Sequence, residues 1–491
     1  MKAFYSARSS QQIDHHAIHQ LGIPGLLLMK QAGLFAFESL QNHFHNPNTI
    51  TILCGTGNNG GDGFVVAQLA AMAGLKVQVC ILGNPDNIRN DALTAYKELK
   101  SIGIEPQAFH KDLLSESDVI VDAIFGIGLD RPITGELLNT IKQVNQSKKP
   151  VLALDIASGL DADTGSILGA AIKADITCTF ITRKLGLYSF QGPDVSGKVL
   201  YSALFLERDA FSQQSPIALN HPLKHWLNKL PERLANHHKG LAGTVCLVGG
   251  NHNMMGAIQL AGLASLKVGA GLVKLITHPE HVVAITQSIP EIMCYPPDEL
   301  IQQANLTNVV ALGPGLGLDQ WARALYQQVL DIPHPKVMDA DALKLLAANP
   351  IKQGNWVLTP HPGEAAQLIN CTTQEIQTDR VKAIKALHDK FGGVIVLKGN
   401  GTLIFDGQRM ELCLAGNPGM AVGGMGDTLT GTIATFIAQG LSLWDAACLG
   451  VNLHAQAGDV LAQQKGQPGI LPSELASVMS QLLSYKDLKQ G

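Results

Sequence analysis

A chain of 491 residues is longer than one hydrophobic core normally serves, so two domains of roughly 200 to 280 residues are expected. With 46% apolar residues, 15% charged residues and 50 glycines, the composition excludes a disordered or fibrous chain and fits an α/β enzyme. A formal charge of −4 without a basic run argues against nucleic acid as the main partner, and eight scattered cysteines with no C-x-x-C pair indicate neither a zinc site nor a disulfide framework.

The first twenty residues, MKAFYSARSSQQIDHHAIHQ, hold no apolar core of the signal-peptide type, and no segment approaches the roughly eighteen apolar residues needed to span a bilayer. A reducing, cytoplasmic setting is expected. His15, His16 and His19 lie at helical spacing, but no carboxylate or cysteine accompanies them in a ligand pattern, so they read as a solvated helix face rather than a metal site.

Short β-branched runs then alternate with longer amphipathic ones, twice over, which predicts parallel sheets flanked by helices. In the first half the strands are TITILCG (51–55 at its centre), LKVQVCIL (75–82), DVIVDAIFG (118–126), PVLALDI (150–156) and ADITCTF (174–180), with helices such as 64–73 and 91–101 between them. Ligands bind such sheets at the carboxyl ends of the strands, and three glycine-bearing loops fall there. CGTGNNGGDGFVVA (54–67) matches the dinucleotide fingerprint only nominally, through Gly55, Gly57 and Gly60. Its NNGGDG core says more: Asn58 and Asn59 offer amide donors and acceptors, and Asp62 can cap a helix starting at Gly63. A plain strand-to-helix turn is the alternative. The other two loops open on Asp122 and Asp155, the latter followed by Ser158. Asn59, Asp122, Asp155 and Ser158 thus sit at three strand ends, where oxygen donors suit a hard cation and an aspartate can serve as general acid or base; loop capping is the alternative for each aspartate singly.

From about 211 to 225 the pattern lapses into FSQQSPIALNHPLKH, which reads as a linker. The second half restarts with GTVCLVGG (243–250) and continues through LVKLI (272–276), VVALGPG (309–315), KVMDADAL (336–343), WVLTPHPGE (356–364) and VIVLKGNGTLI (394–404). No sequence repeat links the halves. The most informative stretch is GNPGMAVGGMGDTLTG (416–431), which sets Asp427 in a glycine-dense loop running into an apolar helix. Glycine lets backbone N–H groups approach a ligand, and the first helical turn adds unpaired donors and partial positive charge, so a catalytic base and a phosphate cradle can be built together. The alternative is a helix N-cap.

Residues 1–215 resemble the NAD(P)H-hydrate epimerase family through GIPGLLLM, GNNGGDGFV, DAIFGIGL and DIASGLDADTG. Residues 225–491 are similar to the NAD(P)H-hydrate dehydratase family, whose fold is ribokinase-like, through HKGLAGTVCLVGG, LGPGLG, TPHPGEAAQL, LKGNGT and GGMGDTLTG. The resemblance implies a Rossmann-like three-layer αβα domain followed by a ribokinase-like α/β domain. It implies interconversion of the R and S epimers of NADHX and NADPHX, then dehydration of the S form with ADP as co-substrate, potassium and magnesium as cofactors, and a homo-oligomer of tetramer size or larger with neither nucleic acid nor membrane as partner. In the first domain it assigns hydrate binding to Asn58, Asn59, Gly60, Gly61 and Asp62, to the loop of Gly126, Ile127, Gly128, Leu129, Asp130, Arg131 and Pro132, and to Asp155, the candidate acid or base. Potassium falls to Asn59, Asp122 and Ser158. In the second domain Ala257, Gly315, His361 and Asp427 would contact the hydrate, Asp427 as catalytic base. Lys398, Gly399, Asn400, Gly401, Thr402 and Gly426 would bind the nucleotide.

The chain departs from the family pattern at Ala157, where proline is usual, and in GGNHNMMGA (249–257), where His252 and Asn253 enlarge a turn. Two other classes of function fit parts of the pattern. A small-molecule kinase of the hydroxyethylthiazole or pyridoxal type would use the same GxGD helix but leaves the first domain unexplained. A scaffold role for the first domain is disfavoured by its Asn59, Asp122 and Asp155.

Overall fold

The computed structural model describes residues 1–236 and 238–484. It divides into a unit of Ala3–Ala218 and a second unit formed by the chain from Leu219 onward with Met1–Lys2.

The first unit is built on six parallel strands in the order Lys76–Ile81, Thr49–Cys54, Val119–Ala123, Val151–Leu154, Ile176–Phe180, Lys198–Ser202. Their near-continuous apolar runs suit strands covered on both faces. One face carries the core around Ile13, Leu28, Phe64 and Val66, the other the core around Leu113, Ile141 and Val144. After Thr49–Cys54 the chain steps outward to Lys76–Ile81 and then returns to Val119–Ala123 on the opposite side, leaving a crevice at the carboxyl ends of those strands.

The helix expected at 64–73 begins earlier and runs Asn58–Met72 from an N-cap at Gly57. Its first turns press against the sheet: a methyl group on Gly60 would come within 2.0 Å of the Gly55 carbonyl, and one on Gly63 within 2.6 Å of Ala123 Cβ. Glycine therefore serves close packing here rather than a loose turn, and Asp62 lies inside the helix instead of capping it.

Strands of the second unit run in the order Ile292–Tyr295, Leu272–Ile276, Thr244–Val248, Val309–Leu312, Lys336–Met338, Trp356–Leu358, Val394–Leu397, Thr402–Phe405, Met410–Cys413. They are parallel through Val394–Leu397 and antiparallel over the next two pairings. The expected single strand at 394–404 is thus a hairpin, because Gly399 (φ +134) and Gly401 (φ +70) adopt backbone conformations closed to most residues and turn the chain. Helix Met425–Ala438 is buried along most of its length and packs on Met255–Lys267. The two backbones approach closely at Gly431, where a methyl group would meet the Ala261 carbonyl at 2.1 Å.

The stretch expected to be a linker instead carries helix Arg208–Phe211, strand Ala218–Asn220 and helix Leu223–Leu227. Trp226 and Leu227 join the second unit's core, and that burial overrides the polar composition around them. Among the described residues no helix is long and apolar enough to cross a membrane.

Candidate active sites

In the first unit the loops after Cys54, Ala123 and Leu154 meet at the crevice and border a cavity of about 480 Å³. Asn58, Asn59, Asp62, Gly126, Ile127, Gly128 and Asp155 line it. Gly60 and Gly61 do not; they face the Gly55 backbone and the Met29 side chain. Leu129, Asp130, Arg131 and Pro132 continue the loop away from the lining.

Asp122 is fully buried beside the cavity. Ser158 donates to it twice, through Oγ at 2.6 Å and N–H at 2.8 Å, and the Ile124 N–H adds a third bond at 3.2 Å. Burial pushes its carboxyl up to about 6, with the Ser158 bonds resisting. The Asn59 side chain is buried with neither Oδ1 nor Nδ2 hydrogen-bonded, an unmet demand at the edge of the cavity beside Gly126. A methyl group on Gly126 would stand 3.5 Å from Asn59 and 3.2 Å from Asp155 Oδ2, so the glycine keeps the floor of the site open.

Asp155 holds φ +62 at the strand end and is ion-paired through Oδ1 with Lys184. Lys184, essentially fully buried, also donates to the Phe180 carbonyl at 2.7 Å and to Thr179 Oγ1 at 3.2 Å. Two further carboxyls face this pair. Asp62 is pushed well above the usual carboxylate range by burial and then by Asp155 and Asp14; Asp14 is raised by burial and then by Asp155 and Asp91. Asp14 and Lys184 line the cavity and escaped the sequence reading. The signal for Asp14 lay in IDHHA, an aspartate between core residues Ile13 and Ala17. For Lys184 it was a lysine just past an apolar strand. The His15 and His19 rings lie 4.3 Å apart, tilted by 47°, on the exposed side of that first helix.

In the second unit the segments after Met338, Leu358 and Leu397 bring Asp339, Glu364 and Lys398 to the N-terminus of helix Met425–Ala438. Gly424 (φ +97) is the N-cap, so Asp427 stands in the first turn with its carboxyl free of capping duty. Burial, and next the charge of Asp339, push Asp427 up to about 7, against the pull of Lys398. Lys398 Nζ lies 2.8 Å from Asp339 Oδ1 and 3.8 Å from Glu364 Oε2. Burial opposes its charge, but the two carboxylates outweigh that and hold it above the ordinary lysine value. Asp339 also accepts from Thr430 Oγ1 at 2.9 Å. A methyl group on Gly426 would come within 3.2 Å of Asp339 Oδ2 and 3.3 Å of Lys398 Nζ, so any side chain there would fill the space above the ammonium.

The KGNGT turn is fixed from beneath by buried Arg380, whose guanidinium donates to the carbonyls of Leu397, Lys398 and Gly401 at 3.0, 3.2 and 3.3 Å. Thr402 Oγ1 closes it onto the Gly399 carbonyl at 3.0 Å. His361 caps helix Pro362–Ile369: Nδ1 accepts from the N–H groups of Gly363 and Glu364, and Nε2 faces Glu364 Oε1 at 3.4 Å. Gly315 (φ +59) and Ala257 face one another, with 3.2 Å between a methyl on the former and Cβ of the latter. Asp339, Glu364 and Arg380 escaped the sequence reading. Asp339 follows a strand as Asp155 does, so the same rule would have found it.

Two family descriptions match the chain, "YjeF-related protein N-terminus" over residues 25–186 and "NAD(P)H-hydrate dehydratase" over 245–481. It is similar along its length to proteins named bifunctional NAD(P)H-hydrate repair enzyme Nnr. The identity is 41% with the Coxiella burnetii protein (97% of this chain, 98% of the relative), 41% with that of Vibrio cholerae (98% of each) and 38% with that of Escherichia coli (96% and 92%). Among solved structures, an ADP/ATP-dependent NAD(P)H-hydrate dehydratase from Bacillus subtilis, co-crystallized with ATP and Mg²⁺, shares 31% identity at a TM-score of 0.50, over 55% of this chain and 99% of that one. A ribokinase-like superfamily protein from Enterococcus faecalis gives 28% and 0.51 over 55% and 96%.

Proposed function

Because the chain belongs to the bifunctional NAD(P)H-hydrate repair enzymes, we propose that each unit carries one of the two reactions, with the cavity beside Asp155 epimerising the hydrate and the Asp427 helix N-terminus dehydrating its S form. The observation that carries the reading is Asp427: a carboxyl raised to about 7, with Lys398 close by and no side chain capping the first helical turn. A base of that pKa is matched to removing a proton near neutrality.

In the dehydratase unit Asp427 takes the proton of the C6 hydroxyl as that oxygen attacks the terminal phosphorus of the nucleotide, releasing AMP when the donor is ADP. The ring nitrogen lone pair then expels phosphate from C6, and loss of a C5 proton restores the double bond. Lys398 and the N–H groups of Gly399 to Thr402 and Gly426 steady the phosphates; Ala257, Gly315 and His361 border the hydrate. We take ADP as the donor, as the fusion with an epimerase suggests. Magnesium arrives with the phosphates, since Asp339 and Glu364 already face Lys398.

In the epimerase unit Asp155 exchanges the proton at the reacting centre, with Asn58, Asn59, Asp62 and the loop from Gly126 to Gly128 around the hydrate. Asn59, Asp122 and Ser158 suit a potassium ion: the unpartnered Asn59 amide supplies an oxygen, and the Asp122 carboxylate supplies charge. Bound there, the ion would hold the three strand-end loops in register. Eight free cysteines favour a reducing cytoplasm, and an oligomer of tetramer size or larger follows from the family reading.

The test is product analysis. Purified protein given S-hydrate, magnesium and ADP should yield one AMP and one phosphate per reduced coenzyme recovered. Phosphorylation of a vitamin alcohol, with no coenzyme recovered, would put the small-molecule kinase reading in its place.

A further inference from the structure

We propose that His252, His278 and Glu280 form a site for a borderline divalent ion of the zinc class, distinct from the cations of both reactions. Glu280 Oε1 lies 2.7 Å from His252 Nδ1 and 3.7 Å from His278 Nδ1, and the three ligand atoms fall within 4.8 Å of one another. Two imidazole nitrogens and a carboxylate oxygen are a donor set for zinc and its neighbours, not for magnesium or potassium. At metal–ligand distances near 2.0–2.1 Å the edge of a tetrahedron is about 3.3 Å. The two Glu280 separations bracket that value, so small side-chain rotations complete the site.

A second observation points the same way. His278 Nδ1 is buried without a hydrogen-bond partner, and a bound ion would answer that demand. His281 Nε2, hydrogen-bonded to the Asn251 carbonyl at 3.1 Å, lies 3.2 Å from the same Glu280 oxygen, so a third imidazole stands next to the cluster. The His252 proton that now bridges to Glu280 would leave as the ion enters.

The location gives the site a consequence. His252 sits in the turn between strand Thr244–Val248 and helix Met255–Lys267, while His278 and Glu280 follow strand Leu272–Ile276. This is the turn at which the sequence departs from its family, with Asn253 in the left-handed region. Asn251 in the same turn donates its N–H to the Gly315 carbonyl at 2.7 Å. An ion would therefore tether the turn bordering the proposed hydrate site.

The experiment uses the untagged full chain, stripped with chelator and dialysed in potassium buffer against Zn²⁺, with excess Mg²⁺ as competitor. Wild type should retain one Zn²⁺ more than the His252→Asn, His278→Gln double variant, each single variant should bind at least tenfold more weakly, and Mg²⁺ should not compete. Zn²⁺ should also raise the thermal midpoint of wild type and leave that of the double variant unchanged. Equal stoichiometry and equal midpoint shifts in wild type and variant would overturn the site. Far-ultraviolet circular dichroism checks that each variant is folded, and Glu280→Gln, which keeps the side-chain shape, gives an independent reading should a histidine variant misfold.

Discussion

The two sites solve opposite problems with the same raw material, clustered carboxyl groups. In the first unit Asp14, Asp62, Asp91 and Asp155 line a cavity that also takes one ammonium, from Lys184, and an unpartnered amide, from Asn59. In the second, Asp339 and Glu364 hold Lys398 while Asp427 stands apart at a helix N-terminus ringed by glycine. The first arrangement, in which burial raises Asp62, Asp14 and Asp122 toward the protonated form, suits the proposed proton exchange without a co-substrate. The second leaves its backbone donors and its lysine head open to phosphate. Charge balance within each site, more than fold, separates the two chemistries.

The sharpest way to break this contrast is to remove one base at a time. Asp427→Asn should lower dehydration by about 10³-fold and leave interconversion of the R and S hydrates unchanged in a chromatographic assay; dehydration near the wild-type rate would end the assignment. Asp155→Asn should do the converse, slowing interconversion by about 10²-fold or more while pure S-hydrate is still dehydrated.

The pH profile comes next. Asp427 must be deprotonated to act, and its carboxyl titrates at about 7, so kcat/KM for dehydration should climb about tenfold per pH unit below that value and level off above it. A profile already level at pH 5 would place the essential base elsewhere. Ser158→Ala removes a buried donor from Asp122, so a loss of about 1–3 kcal/mol in denaturant-measured stability is expected, with epimerisation falling and dehydration spared; equal loss of both activities would argue for global damage. The smallest effect belongs to Ala157→Pro, expected to shift stability by less than about 1 kcal/mol and both activities little.

Much of this was legible in the sequence because apolar strands ending in Asp or Gly are a local signal. The loops at Asn58, Asp122 and Asp155 could be placed at sheet ends from that pattern alone, and Asp427 at a helix N-terminus from its glycine-dense loop. What stayed hidden depends on distant contacts. Asp14 and Lys184 reach the first cavity from a helix and a strand far from the GNNGGDG turn in sequence. Arg380 supports the KGNGT turn from a helix whose own pattern gives no hint of it. Gly60 and Gly61 look like ligand-loop glycines, yet tight packing against Gly55 and Met29 accounts for them. The hairpin at 394–404 was missed because apolar residues on both sides of KGNGT mask the turn that two left-handed glycines make.

The most direct test follows the reduced nicotinamide absorbance after the full chain is added to a mixture of R and S hydrate with ADP, magnesium and potassium. Complete recovery of the coenzyme is predicted, because R hydrate can return only by way of the first site and then the second. Recovery that stops once the S form is consumed would contradict the account, leaving a dehydratase joined to a unit that does not turn over.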